Sequence, residues 1–155
     1  MILISPWARN TTEGKPSPKN YPHWADLVAL LRDVDSQIVQ MMCEGEAKVP
    51  GVGTFVVGHP LKDIVALMKE ERCKTWISVD NFFHHLAWSV GKPGVVLWGM
   101  SDPEIFGHPE NVNLLKDRSF LRKRQFGLWS QELENPKAFV SPEEVVQCLK
   151  KVVAG

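Results

Sequence analysis

The chain has 155 residues, of which 44% are hydrophobic and 23% are charged, and 18 basic residues balance 18 acidic ones. This length suits one domain with a sizeable core, so we expect a single domain over residues 1–155. A net charge of zero argues against a general polyanion-binding protein. No apolar run approaches the ~20 residues that a membrane-spanning helix needs.

The start of the chain and its cysteines both favour a cytoplasmic location. Residues 1–6 lack the charged lead and the length of a secretory signal, and they predict a strand instead. The three cysteines are widely spaced and odd in number, which is typical of reduced, buried or half-buried thiols, namely Cys43, Cys73 and Cys148.

Strands and helices alternate along the chain. Apolar runs predict strands at 2–5, 37–42, 54–57, 74–79, 94–98 and 111–115. Helical spacing predicts helices that begin near His23 and Pro60, a third over 83–90, and a last one after the capping box Ser141-Pro142-Glu143-Glu144. Residues 9–22 form a long loop. This order predicts an α/β Rossmann-like three-layer sandwich with a mostly parallel sheet.

Several apolar residues are expected to face the core. Helical spacing places Leu61 and Met68 on the inner stripe of the second helix. The tryptophans in or beside the fourth and fifth strands, Trp76, Trp88 and Trp98, are also expected in the core.

Polar residues gather where the fourth predicted strand ends. Asp80 and Asn81 follow that strand and begin a helix, and His85 lies on the second turn. The first turn of a helix has free backbone N–H groups, and parallel sheets bind anionic ligands at the ends of their strands. The residues therefore predict a nucleotide or nucleotide-sugar site. An N-cap role alone would also explain Asp80.

Several segments resemble those of a known family. They are residues 79–86 (Val-Asp-Asn-Phe-Phe-His-His-Leu), 91–93 (Gly-Lys-Pro), 99–103 (Gly-Met-Ser-Asp-Pro), 19–24 (Lys-Asn-Tyr-Pro-His-Trp) and 43–46 (Cys-Glu-Gly-Glu). Their order and spacing resemble the C-terminal half of GT-B glycosyltransferases of the ADP-heptose:lipopolysaccharide heptosyltransferase family. The resemblance implies a donor-binding domain that takes part in transfer of a sugar from a nucleoside-diphosphate donor.

The resemblance also implies a role for each residue that matches a family motif. Lys19 would contact the nucleotide diphosphate. A carboxylate after the second strand would hydrogen-bond the ribose, either that of Glu44 or that of Glu46. The phosphate and sugar side would be lined by Asp80, Asn81 and His85. If these donors suffice, the reaction needs neither a metal nor a cofactor besides the donor substrate. The general base would lie outside this chain, so its catalytic residues stay unidentified.

Metal binding finds no support in the residue spacing. His84 and His85 are adjacent, so on a helix they point about 100° apart. No cysteine or carboxylate completes a ligand spacing with them. We therefore expect no metal site.

A departure from the family pattern leaves a second interpretation open. The family has Gly where this chain has Phe82, and Gly lets phosphate approach the backbone closely. The chain could then be a degenerate, non-catalytic domain that acts in protein association, with Phe82 blocking the pocket. Phe82→Gly would strengthen nucleotide binding if the rest of the pocket is intact.

Partners are expected because the family uses two such domains. The acceptor site belongs mostly to the N-terminal domain, for which this chain has no room. We expect a split enzyme with a partner chain, or a missing N-terminal domain. The sequence identifies neither the nucleotide base, the sugar and the acceptor, nor the stereochemical outcome.

A second unusual segment mixes basic and aromatic residues over 118–129. It contains Arg118, Arg122, Lys123 and Arg124, interleaved with Phe120, Phe126 and Trp129. It is interpreted either as a charged surface connection or as a contact surface for an anionic acceptor, nucleic acid or the missing half.

Overall fold

Six parallel strands form one sheet in the computed structural model, which describes residues 1–155. The strands are β1 (Ile2–Ser5), β2 (Ile38–Met42), β3 (Thr54–Val57), β4 (Thr75–Val79), β5 (Val95–Trp98) and β6 (Val112–Leu115). Their spatial order is β3-β2-β1-β4-β5-β6, and every neighbouring pair is parallel. The chain thus moves outward from β1 to β3, then crosses back to β4 beside β1 and continues the other way. The order reverses between β1 and β4.

Five α-helices connect or follow these strands. They are α1 (Trp24–Leu31), α2 (Leu61–Lys69), α3 (Phe82–Ser89), α4 (Pro103–Phe106) and α5 (Pro142–Ala154). Three short 3-10 turns at 118–120, 129–131 and 136–138 lie between β6 and α5. The capping box predicted for α5 is formed: Ser141 Oγ accepts the Glu144 N–H, and the Glu144 carboxylate accepts the Ser141 N–H. The predicted α/β class and the six strands are confirmed, and the sheet is entirely parallel.

Alternating side chains of the strands supply two cores, one on each face of the sheet. In β1, Ile2 and Ile4 pack with α1 and α5 on one face, whereas Leu3 packs with α2 and α3 on the other. All three side chains are fully buried, and burial of each contributes about 1.5–3 kcal/mol. A central strand covered on both faces is apolar at most of its positions, and this explains the run Ile-Leu-Ile at the start of the chain.

Three of the residues expected inside lie at the surface. Leu61 is 51% exposed because α2 begins beside β3, the edge strand, and the helix fully buries only Met68. Trp88 is 48% exposed because its ring stacks on His108, in the connection from β5 to β6, instead of on the sheet. Cys43 is exposed in the turn after β2. The other two tryptophans are buried, as predicted.

Candidate functional site

The loops that follow β1 and β4 meet at the carboxyl end of the sheet. Ser5 lies opposite Ser78 in the β1–β4 pair, so the two loops leave the sheet side by side. The first loop contributes Lys19, and the second begins with Asp80. Lys19 Nζ lies 2.9 Å from Asp80 Oδ2. The contact falls at the point where the strand order reverses, which is where open parallel sheets bind their ligands.

The Asp80 carboxylate is buried, and its two oxygens face a lysine and a histidine. Its side chain is 9% exposed, and its second oxygen lies 3.4 Å from His84 Nε2. Burial raises the pKa of the Asp80 carboxyl, but hydrogen bonds from His84, Lys19 and Ser101 and the charge of Lys19 outweigh burial and lower that pKa. Asp80 is therefore an ionised carboxylate that fixes the position of the Lys19 ammonium group.

Lys19 remains partly accessible although it is paired. Its side chain is 24% exposed, and an ammonium group has three donors, of which Asp80 occupies one. Lys19 Nζ also lies 5.3 Å from the centroid of the Trp129 ring, and Arg122 stacks on the same ring at 4.0 Å. Trp129 thus places the segment after β6 beside the two loops. No spacing in the sequence relates Trp129 to Lys19.

Asn81 connects the start of α3 to the loop after β1. Its Nδ2 donates to the Ser5 carbonyl at 3.2 Å, to Ser5 Oγ at 3.0 Å and to the Trp7 carbonyl at 3.2 Å. Its Oδ1 accepts the Phe83 N–H at 2.9 Å as the N-cap of α3. The Asn81 side chain is therefore occupied within the protein. Asn81, not Asp80, is the N-cap of α3, so the N-cap role considered for Asp80 is wrong. The other N–H groups of the first helical turn have no intrahelical partner.

The loop that carries Lys19 is held at several points. Asn20 Oδ1 accepts the Ala8 N–H at 2.8 Å. The buried Tyr21 donates its hydroxyl to the Val140 carbonyl at 2.8 Å, and Trp7 donates its ring N–H to the Ala47 carbonyl at 2.7 Å. These bonds close the loop on itself and join it to the turn after β2 and to the segment before α5.

The two glutamates lie in the turn after β2, on the same edge of the sheet. Glu44 is exposed, and Glu46 is half-buried, with its Oε2 accepting the Cys43 N–H at 2.9 Å. Since β1 separates β2 from β4, this turn starts about 10 Å from the loop after β4. Glu44 is the freer of the two carboxylates.

His85 forms no hydrogen bond or ion pair with Lys19 or Asp80. It is exposed, and its Nδ1 lies 2.8 Å from Nε2 of His108. Burial and the neighbouring His84 lower the pKa of both His85 and His108. The residue that contacts Asp80 is instead His84, for which the sequence predicted no role, although its spacing of four from Asp80 on a helix could have indicated it.

Two further expectations concern Phe82 and the basic segment. The Phe82 ring is 59% exposed, so it does not fill an enclosed cavity. Arg118 forms a bidentate pair with Asp102, at 3.1 and 2.7 Å. Arg122 is buried with its Nε 3.2 Å from Glu132 Oε1. Of the four basic residues in the segment, only Arg122 is buried, and the exposed ones are Arg118, Lys123 and Arg124.

Glycosyltransferases are among the solved structures that share this fold. A glycosyl transferase family 9 protein from Veillonella parvula superposes with a TM-score of 0.72 at 17% identity, over 99% of this chain and 46% of its own. ADP-heptose LPS heptosyltransferase II of E. coli gives 0.68 at 19% identity, over 99% and 46%. E. coli heptosyltransferase WaaC, solved with ADP, gives 0.63 at 18% identity, over 97% and 43%.

The sequence by itself gives no match to a protein-family model or to a curated protein. The chain spans less than half the length of the solved structures that it matches. None of its helices has both the length and the apolar character needed to cross a membrane. The chain therefore has the fold of heptosyltransferase-type glycosyltransferases, as its motifs predict, and its extent is consistent with one half of a GT-B structure.

Proposed function

We propose that this chain binds the nucleoside diphosphate of a nucleotide-sugar donor and acts as the donor-binding domain of a glycosyltransferase. The observation that carries the proposal is the Lys19–Asp80 contact, 2.9 Å long, at the reversal of the strand order. The solved structure of WaaC contains ADP, and the name of heptosyltransferase II specifies ADP-heptose. Both have this fold, which supports a nucleotide ligand of the same class here.

In this proposal Lys19 and the start of α3 receive the diphosphate together. Asp80 accepts one N–H of the Lys19 ammonium group on the protein side and so fixes its orientation. The two remaining Nζ donors would face the ligand. Backbone N–H groups at the first turn of α3 add partial positive charge. These donors would stabilise the negative charge that develops on the diphosphate as the glycosidic bond breaks.

The turn after β2 would hold the nucleoside. A carboxylate at the end of a second Rossmann-type strand commonly accepts hydrogen bonds from ribose hydroxyls. Glu44 is exposed and is better placed to do so, because Glu46 already accepts the Cys43 N–H. The acceptor site and the general base would come from another chain or from the rest of a longer protein.

Calorimetric titration with ADP, UDP, GDP and their sugar derivatives tests the proposal. We expect binding of at least one nucleotide, weakened by Lys19→Ala. Lys15→Ala is the matched control, because Lys15 lies on the same loop, is 71% exposed and pairs only with Glu13 at the surface. Absence of binding up to millimolar ligand, or equal effects of the two substitutions, would refute the proposed site.

A second candidate function is protein association without catalysis. Three large apolar side chains are strongly exposed between β6 and α5, namely Phe126 (82%), Leu128 (66%) and Leu133 (85%). Exposed apolar groups of this kind are typical of interfaces. Sedimentation over a range of concentrations, with Phe126→Asp and Leu133→Asp as disrupting variants, tests self-association. A monomer at all concentrations would exclude self-association through these side chains, and nucleotide binding by that monomer would favour the first function.

A further inference from the structure

Three histidine rings meet beside the end of β5, in an arrangement that the sequence does not reveal. His84 and His85 lie on α3, and His108 lies between α4 and β6. One nitrogen from each ring lies within 4.8 Å of the other two. The ring centroids of His84 and His85 are 3.9 Å apart, and those of His85 and His108 are 4.9 Å apart. We propose that His84, His85 and His108 form a binding site for a divalent transition-metal ion, with Zn²⁺ as the best fit.

A buried nitrogen without a partner supports a cation at this place. His84 is fully buried, and its Nδ1 has no hydrogen-bond partner, although buried polar atoms are nearly always paired. Its Nε2 faces Asp80 Oδ1 at 3.4 Å. A histidine that holds a metal with one nitrogen and a carboxylate with the other is the common arrangement at zinc sites. A bound cation would satisfy Nδ1 of His84.

The other two rings can reach a zinc ion with a small adjustment. His85 Nδ1 and His108 Nε2 are 2.8 Å apart and share a hydrogen bond. Zn–N distances of about 2.0–2.1 Å separate two ligand nitrogens by about 3.3 Å in a tetrahedron. Separation of these two rings by about half an ångström gives that pair the spacing of two zinc ligands, and His85 is exposed and has room to move toward His84. The ion would replace the proton that now joins the two rings.

The chemistry of the donors selects the class of ion. Imidazole nitrogens suit zinc, copper, nickel and iron, whereas calcium and magnesium prefer oxygen ligands. Three histidines leave one tetrahedral position open for water or an anion. Trp88 stacks on His108, with centroids 4.4 Å apart, and Trp98 packs edge-on against His84. These tryptophans fix the orientation of two of the three ligands.

The test is titration of Zn²⁺ against an untagged protein that contains Cys43→Ser, because the exposed Cys43 thiol would compete for zinc. We expect one ion per chain, and His85→Ala or His108→Ala should each weaken binding at least about tenfold. His59→Ala is the control, since His59 is half exposed and contacts only Asp63 at 3.8 Å. Failure to bind one ion per chain, or an equal loss in the His59 variant, would overturn the proposal.

Two further measurements distinguish loss of the metal site from other effects. Cobalt spectroscopy with circular dichroism separates it from unfolding, and nucleotide titration separates it from failure of the proposed function. Co²⁺ should give the visible absorption of a tetrahedral site, and His108→Ala should abolish it while circular dichroism stays unchanged. Lys19→Ala should retain the ion, and His108→Ala should retain nucleotide affinity. Retention of the cobalt spectrum in His108→Ala would also overturn the proposal.

Discussion

The Lys19–Asp80 pair should contribute measurably to stability, and Lys19→Met isolates that contribution. Methionine keeps an apolar stem beside Trp129 but leaves the Asp80 carboxylate, 9% exposed, without its cationic partner. A hydrogen bond to a charged group contributes about 1.5–3 kcal/mol, and the 24% exposure of the Lys19 side chain favours the lower half of that range. We expect a loss of about 2 kcal/mol at pH 7. The melting temperature should fall by about 4–8 °C.

Urea unfolding of a double-mutant cycle measures the pair directly. Asp80→Asn in the Lys19→Met protein removes the uncompensated charge, so the combined loss should be smaller than the sum of the single losses by about 1 kcal/mol or more. Additive losses within about 0.5 kcal/mol would refute the assignment of a stabilising ion pair.

The pH dependence supplies a second check on the same pair. The pKa of Asp80 is lowered in the folded protein, so its contribution to stability is complete above the unfolded value of about 3.9 and is lost as the pH falls through the folded pKa. The difference between wild type and Lys19→Met should therefore be full at pH 7 and shrink below about pH 4. A difference that is unchanged at pH 3 would contradict the reasoning.

Three further substitutions test the packing, the last helix and the entrance of the site. Gly94→Ala would place a Cβ 2.3 Å from the Trp76 ring and should cost about 1–3 kcal/mol in urea unfolding, whereas Gly53→Ala, with open space around it, should change stability by less than about 0.5 kcal/mol. Ser141→Ala removes the N-cap of α5 and should cost about 1 kcal/mol, measured by thermal unfolding. Phe82→Ala should leave ADP affinity unchanged, because the ring is 59% exposed; a large gain in calorimetry would instead indicate that the ring blocks the site.

The fold could be predicted because the strands of a parallel sheet are recognisable one at a time. Each central strand is buried on both faces, so runs such as 2–4 and 95–98 are apolar throughout, and the connecting helices show their own spacing. The segment 116–140 could not be predicted in the same way. Arg122 is buried there because Trp129 and Glu132 surround it, and nothing local in the sequence distinguishes it from its exposed neighbours.

Only one part of the candidate site could be predicted from the sequence, namely the residues in the loops that follow neighbouring strands. Lys19 and Asp80 meet because parallel neighbours bring their following loops together. His85 was assigned to the same cluster, but the structure joins it to His108, 23 residues away. Contacts between residues so far apart depend on the course of the connecting loops, which residue spacing does not determine.

In the proposed site, the position of Asn81 has a consequence for the rate of ligand binding. The Asn81 amide donates to the Ser5 carbonyl at the end of β1 and to the Trp7 carbonyl in the following loop, and it also caps α3. The two loops of the proposed site are therefore tied together by the protein's own hydrogen bonds. A ligand would lose its own rotational and translational freedom on binding, whereas the protein would lose little conformational entropy. Capture would then be governed by diffusion and orientation, without a slow closing step.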